Sequence, residues 1–418
     1  MTRKIIQEIL KLLSRLILQK YKPKVVAITG SAGKTSAKEA IFVVLETKFP
    51  RKVRRSWGNL NTEIGAPLAI IGGIDAQRNI FSWLINFFKA VKLIFFRDNN
   101  YPKIIILEMA ADKPGDIRYL TSFIQPDIAV VTAIGEMPSH LEFFPERAVY
   151  ISEKANIIKN LKPGGTAILN YDDLSVRELR DIVPTGRERL YYGFQAGAEV
   201  KLENFSYKIP LTSSEINAAG IDFKISYENN EANFHISKTL GAPPLYAALA
   251  AGAVGIKLGL DLKQTAEAFK NYIPPKNRLE IIEGIKETII INDAYNSSPL
   301  AAEAALDLLA EFKKNRKIAV LGSMRELGIN TEPAHRLIGQ KAAQVCDIIF
   351  LVGDEMVFAK EEILKKKFIL GQDVFWFESS DEAKTKVQEI LQPGDTMLIK
   401  GSRGVRMEKI VEEIKALG

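Results

Sequence analysis

Cysteine is almost missing from this chain: Cys346 stands alone in 418 residues. One thiol excludes an intramolecular disulfide framework and a cysteine-built zinc site, and it fits a reducing, cytoplasmic setting. Histidine is scarce as well, with His140, His235 and His335 only. No uncharged apolar run reaches the length of about 18 residues that a spanning helix needs. No signal peptide is evident, because charges interrupt the early apolar positions and no small-residue cleavage site follows. Internal repeats and low-complexity tracts are absent too.

What is present is ordinary in bulk. Apolar residues make up 47% and charged residues 26%, the profile of a soluble globular protein. The length exceeds one core, so two or three domains are expected. The net charge of +7 is unevenly placed. Residues 1–24 hold Arg3, Lys4, Lys11, Arg15, Lys20, Lys22 and Lys24 against Glu8 alone. No nucleic-acid partner is expected.

The informative stretch is Val25-Val26-Ala27-Ile28-Thr29-Gly30-Ser31-Ala32-Gly33-Lys34-Thr35-Ser36. It reads as a buried strand, a glycine loop and the start of a helix, the geometry that cradles phosphates. Glycine lets backbone N–H groups near Gly30 and Gly33 approach anionic oxygens. Lys34 would neutralise β- and γ-phosphates, and the Thr35 hydroxyl would hold Mg²⁺. The longer form of this loop needs glycine where Ile28 stands, so the signal is the short Gly-x-x-Gly-Lys-Thr form. ATP is the nucleotide it suggests.

Residues 3–20 read as an amphipathic helix with a basic side, either a membrane-surface or partner-binding element or a helix packed on the core. A helix follows the glycine loop, then the basic patch Arg51–Arg55. Trp57 to Leu68 holds Asn59, Asn61, Thr62 and several glycines. It reads as a structured loop that either contacts a polar substrate or caps a turn. Residues 80–96 are rich in Phe and broken by Asn86, Lys89 and Lys92. They read as an interfacial helix or as a buried one with its lysines reaching outward.

Residues 103–109 form a second buried strand ending in Glu108, placed to hold Mg²⁺ if the sheet is parallel. Residues 127–134 form a third, running into His140. Lys154 lies on a helix over 146–160 and reads from the residues alone as a surface lysine. Short alternating runs over 192–240 read as a small antiparallel sheet, with His235 facing outward. After Pro274-Pro275, strands at 287–292, 317–322, 347–352, 374–377 and 396–400 alternate with helices, which predicts a second parallel sheet. Its strand-end loops are Asn292–Asn296, Gly322–Gly328 and Lys400–Gly404.

These loops, in this order, resemble the Mur ligase family. The matching pieces are Thr29–Thr35, Gly58–Pro67, Leu107-Glu108-Met109, Pro114–Ile117, Ala133–Gly135 with His140–Glu142, Asn292–Pro299, Leu321–Gly328 and Lys400–Glu408. The last three are most similar to the branch that joins D-alanyl-D-alanine to UDP-N-acetylmuramoyl-tripeptide. The resemblance implies an α/β fold, with a P-loop-type parallel-sheet ATPase domain over 23–273 and a Rossmann-like domain over 274–418, after a basic helix at 1–22.

It further implies a cytoplasmic, monomeric carboxylate–amine ligase that uses ATP and two Mg²⁺ ions. The terminal carboxylate is phosphorylated and the resulting acyl phosphate is attacked by the dipeptide's amino group. Gly30, Ser31, Ala32, Gly33, Lys34, Thr35, Ser36, Arg278 and Asp293 match nucleotide-binding positions. Thr35 and Glu108 match ligands of one Mg²⁺; Glu108, His140 and Lys154 match those of the other. Lys154 corresponds to a lysine that is carbamylated in many members, which turns an ammonium into a carboxylate-like ligand. Lys34, Glu108, His140 and Lys154 are thus the catalytic candidates. Asn59, Asn61, Thr62, Asn296, Lys400 and Arg403 fall at substrate positions.

Two departures from the family pattern appear. Only residues 1–22 precede the phosphate-loop strand, where the family usually holds a UDP-binding domain. This opens the alternatives of a different or lipid-linked acceptor, with peripheral membrane contact through 1–22 and 80–96, or of a non-catalytic nucleotide-binding scaffold. Ala247 stands where the family has an adenine-contacting asparagine, which predicts looser nucleotide selectivity.

Overall fold

Apolar runs without alternation dictate strands buried on both faces, and that is how the first sheet is built. The computed structural model describes residues 2–58, 60–77 and 79–416. Its first sheet comprises β1 (Lys24–Thr29), β2 (Val53–Arg55), β3 (Ile104–Glu108), β4 (Ile128–Val131), β5 (Thr166–Asn170), β6 (Glu188–Gly193), β7 (Val200–Lys208), β8 (Gly220–Tyr227) and β9 (Asn230–Ser237). The spatial order is β2-β3-β1-β4-β5-β6-β7-β8-β9. Val26 and Ile28 of β1 face one core, and Val25 and Ala27 face the other. β1 lies parallel between β3 and β4, with Ile28 beside Glu108 and Thr29 beside Val131. Three strand C-termini therefore share one rim.

Two local expectations change. The runs over 192–240 do not make a separate small sheet: β7 pairs parallel with β6, and β8 and β9 extend the same sheet antiparallel. Gly65–Ile71, partly inside the expected loop, is a helix with all seven residues buried. His235 does face outward, bonded to Asp222 Oδ1 at 2.6 Å and Ser237 Oγ at 3.0 Å.

The helix Lys34–Lys48 packs along the helix Ala242–Lys257. Alanine and glycine at 247, 248 and 250–253 are buried there and permit close approach. The second sheet comprises β10 (Glu280–Gly284), β11 (Thr288–Asp293), β12 (Lys317–Gly322), β13 (Ile348–Val352), β14 (Val374–Phe377) and β15 (Thr396–Lys400), in the order β10-β11-β15-β12-β13-β14. All pairs are parallel except β10 with β11. The sequence reading missed β10, whose mixed charged and apolar residues lack the long apolar run of its neighbours. The two sheets share one apolar cluster that includes Val26 of β1 and Ile291 of β11.

The helix Thr2–Tyr21 buries Leu10, Ser14 and Ile17. It packs on the helices Gly65–Ile71 and Ile80–Phe95. No described helix is long and apolar enough to cross a membrane.

Candidate active site

The loop after β1 turns because Gly30 adopts φ 148° and Gly33 φ 85°. A Cβ on Gly30 would fall 2.0 Å from Thr132 Oγ1, so only glycine fits beside β4. Ser31 and Ala32 donate their N–H groups to the Ala133 carbonyl at 2.7 and 3.2 Å. These two amides are thereby tied to the segment that follows β4. Ser31 Oγ lies 2.7 Å from the Tyr150 hydroxyl.

Lys34 opens the following helix and curls back over the loop. Its Nζ donates to the Gly30 and Ser31 carbonyls at 2.8 and 3.1 Å. Burial lowers its pKa, with Glu108 opposing the shift. Lys154 arrives from the helix Arg147–Lys159 and donates to the same Gly30 carbonyl at 3.0 Å. It is 1% exposed, not the surface lysine that its local sequence suggests. Burial, then the Lys34 charge, hold it well below its ordinary value, with Asp112 and Glu153 opposing.

Glu108 ends β3 and is buried. Thr35 Oγ1 donates to its Oε2 and Asn61 Nδ2 to its Oε1, both at 3.2 Å. Lys38 Nζ stands 3.8 Å from Oε2. Arg278, from the segment leading into β10, donates to Thr35 Oγ1 at 3.4 Å. Lys34 and Lys38 thus flank the Glu108 carboxylate and Arg278 reaches Thr35 beside it, a group of cations that suits a polyphosphate. The sequence reading missed Lys38. Its spacing of four from Lys34 was the available signal, since i and i+4 share a helix face.

His140 sits on the same rim with φ 67°. Its Nδ1 lies 2.6 Å from Glu326 Oε2, in a loop of the second sheet. Burial first, then the Lys34 charge, push its pKa down to about 4. Glu326 was not singled out in the sequence, although its loop was. The turns Leu141–Phe143 and Gly328–Asn330 pack together beside this pair.

The remaining candidates divide. Thr62 Oγ1 accepts from the Gly65 N–H at 3.3 Å, so it serves the start of a helix. Ser36 offers its carbonyl to the Tyr272 hydroxyl at 3.5 Å. Lys400 is buried: it donates to Asp293 Oδ2 at 2.6 Å and to the Asn296 carbonyl at 2.9 Å. Burial raises the Asp293 pKa against the pull of Lys400 and Arg278. The Asn296 and Arg403 side chains are exposed. Arg278 and Arg403 lie 4.4 and 5.9 Å from the Tyr295 ring centroid. Ala247 is buried. Its neighbour Tyr246 stacks on Phe194 at 4.4 Å and donates to Asp172 at 2.9 Å. Asn59 lies outside the described residues. Among the described residues, no group of three or more His, Cys, Asp or Glu side chains is arranged to hold a metal.

Residues 28–255 match the family model of the Mur ligase middle domain, and residues 277–403 match that of the Mur ligase glutamate ligase domain. The chain belongs to the Mur ligase family. It is 30% identical over 407 residues to the UDP-N-acetylmuramoyl-tripeptide–D-alanyl-D-alanine ligase of Bacillus subtilis (strain 168), covering 97% of this chain and 79% of that one. It is 28% identical over 400 residues to the enzyme of the same name from Rickettsia prowazekii (strain Madrid E), covering 94% and 78%. Among solved structures, the MurF ligase of Thermotoga maritima in complex with ADP superimposes with a TM-score of 0.76 at 25% identity, covering 97% of this chain and 83% of that one. A MurF structure from Acinetobacter baumannii gives a TM-score of 0.78 at 23% identity, covering 97% and 80%, and shares the fold. Within this Mur ligase, the glycine loop, Glu108, His140 and Lys154 lie in the middle-domain match, and Arg278, Asp293, Glu326 and Lys400 in the second.

Proposed function

We propose that this Mur ligase is an ATP-dependent carboxylate–amine ligase of peptidoglycan precursor synthesis, joining D-alanyl-D-alanine to UDP-N-acetylmuramoyl-tripeptide. The observation that carries the reading is the meeting of Lys34, Thr35, Glu108 and Lys154 at one glycine loop, with Arg278 reaching it from the second unit. A scaffold that only held a nucleotide would not require Lys154 buried there. The names of the relatives support the choice of substrates.

The triphosphate would lie on Gly30–Ser36, between units 23–273 and 274–418, with Arg278 and Asp293 on its far side. Lys34 would leave the Gly30 and Ser31 carbonyls to meet the β- and γ-phosphates. A substrate carboxylate oxygen attacks the γ-phosphorus and ADP leaves. The dipeptide nitrogen then attacks the acyl carbon, phosphate leaves, and the amine gives up a proton. Lys34 and Lys38 would offset charge developing on the transferred group. Asn61, Thr62, Asn296 and Arg403 would line the acceptor side. Lys400 would act through Asp293 and the Asn296 carbonyl.

Two Mg²⁺ ions would require one modification of the donor set. Thr35 and Glu108 would hold one ion; Glu108, His140 and Lys154 the other. An ammonium cannot ligate a cation, but a buried lysine that has lost its proton can add CO₂ and become a carbamate. The ions, when bound, supply charge neutralisation to the phosphates.

Phosphate release from ATP and Mg²⁺ with UDP-N-acetylmuramoyl-tripeptide tests the proposal. Release that depends on D-alanyl-D-alanine, with a pentapeptide product, is expected. Release indifferent to the dipeptide, or none, would refute it.

A further inference from the structure

The helix Ile80–Phe95 packs Trp83, Phe87 and Ile94 on the core yet leaves a second apolar face outward. Its buried residues are Asn86, Ala90 and Leu93. The Asn86 side chain accepts from the Ile74 N–H and donates to the Ile74 carbonyl, both at 2.9 Å. Its outward face is apolar: Phe81 is 72% exposed, Leu84 59%, Ile85 58%, Phe88 72% and Phe95 76%. These positions follow one helical stripe. Rotating the helix to hide the phenylalanines would break both Asn86 bonds, so its orientation is set.

Both ends of the helix are closed. The Asn79 side chain accepts from the Phe81 and Ser82 N–H groups at 2.9 and 3.3 Å. At the other end, Lys20 Nζ lies 2.9, 2.8 and 2.9 Å from the Leu93, Ile94 and Phe96 carbonyls. The Tyr21 hydroxyl lies 3.1 and 3.0 Å from the Leu93 and Phe96 carbonyls. A helix whose terminal backbone groups are engaged can enter a medium that offers few hydrogen bonds.

Charge decides what covers this face. The helix Thr2–Tyr21, which packs against it, carries Arg3, Lys4, Lys11, Arg15 and Lys20; the helix Ile80–Phe95 adds Lys89 and Lys92. The only acid on either is Glu8. The N-terminal helix also exposes Ile5, Ile9, Leu12 and Leu16. A second copy of the same face would meet it like charge against like. A nucleic acid would engage the cations and leave the phenylalanines in water. An anionic lipid surface accommodates both the apolar stripe and the cations.

We propose that the helix Ile80–Phe95 docks this protein on anionic lipid bilayers. It lies in the plane of the interface, about 24 Å long, with Phe81, Phe88 and Phe95 at the acyl boundary. The exposed Lys4, Arg15 and Lys92 of the two helices meet the headgroups. The ligase chemistry is thereby held at a membrane surface through a peripheral contact.

The test is co-sedimentation of the full chain with phosphatidylcholine vesicles and with vesicles containing phosphatidylglycerol, at low and high salt. Binding that requires phosphatidylglycerol and weakens with salt is expected. The variant Phe81→Gln/Phe88→Gln/Phe95→Gln should lose at least tenfold in apparent affinity while keeping its circular dichroism spectrum. Should that variant misfold, Arg15→Glu/Lys92→Glu, which changes exposed charges only, should lose binding to the same vesicles. Absence of binding to either vesicle, equal binding to both, or folded variants that bind like the parent would overturn the proposal. So would a dimer, seen by light scattering, that the phenylalanine variant abolishes, because the face would then belong to a second copy.

Discussion

Lys34 and Lys154 donate to one carbonyl oxygen, that of Gly30, over 2.8 and 3.0 Å. The two ammonium groups compete in a buried site. Glu108 opposes the loss of charge at Lys34, whereas burial and Lys34 together hold Lys154 well below its ordinary value. At Lys154 burial and a neighbouring ammonium thus act together against the charged form, with Asp112 and Glu153 opposing.

Lys154→Ala is therefore expected to lower kcat/KM by about 100-fold or more, which is ~2.7 kcal/mol of transition-state stabilisation. Added bicarbonate should raise the activity of CO₂-depleted wild type and leave the variant unchanged. Near-wild activity in the variant would remove Lys154 from the site chemistry.

Gly30→Ala tests the loop itself. The new methyl would collide with Thr132 Oγ1 at a φ of 148° that suits glycine. A loss of about 1–3 kcal/mol is expected from backbone strain, with nucleotide binding lost as the loop shifts. Gly164→Ala is the control, since its φ of 72° is strained but nothing lies within 4 Å of the added carbon. Urea unfolding of the two variants would separate the collision from the dihedral cost; equal losses would argue against it.

The Asp293–Lys400 pair is buried, so breaking it should be costlier than removing it. Lys400→Met takes away the ammonium partner of buried Asp293, leaving the Leu279 backbone and the Arg278 charge, for an expected loss of about 3–5 kcal/mol. Lys400→Met with Asp293→Asn should recover much of that stability. If Lys400 instead serves the substrate directly, the single variant would melt like wild type and show only a raised KM.

Cys346 is buried, and burial raises its thiol pKa above the ordinary value. The reactive thiolate gains population only as pH climbs towards that raised pKa. At pH 8 the folded protein should react slowly with a thiol reagent, and one equivalent should appear on denaturation. Rapid reaction of the native protein would contradict this placement.

Much of the first sheet was legible. β1, β3 and β4 are apolar without alternation, which requires burial on both faces and therefore a parallel, helix-covered sheet. That arrangement puts Thr29, Glu108 and the approach to His140 on one rim, so the glycine loop and its carboxylate could be paired from spacing alone. Lys154 was not legible from its own surroundings, and Lys38 was signalled only by its spacing of four from Lys34; Lys154 is buried against a loop 124 residues earlier that presents a carbonyl to it.

The sequence by itself determined which segments are apolar, where the glycine loop turns, and that residues 3–20 and 80–96 carry helical stripes. It could not determine which way a stripe points. Periodicity specifies a face relative to the helix axis and says nothing about what stands on either side. For Ile80–Phe95 that was decided by Ile74, whose backbone takes the Asn86 side chain inward, and by Lys20, which closes the helix end. Phe81, Phe88 and Phe95 point outward because Asn86 takes its partner inside, a fact of tertiary packing that no local pattern contains.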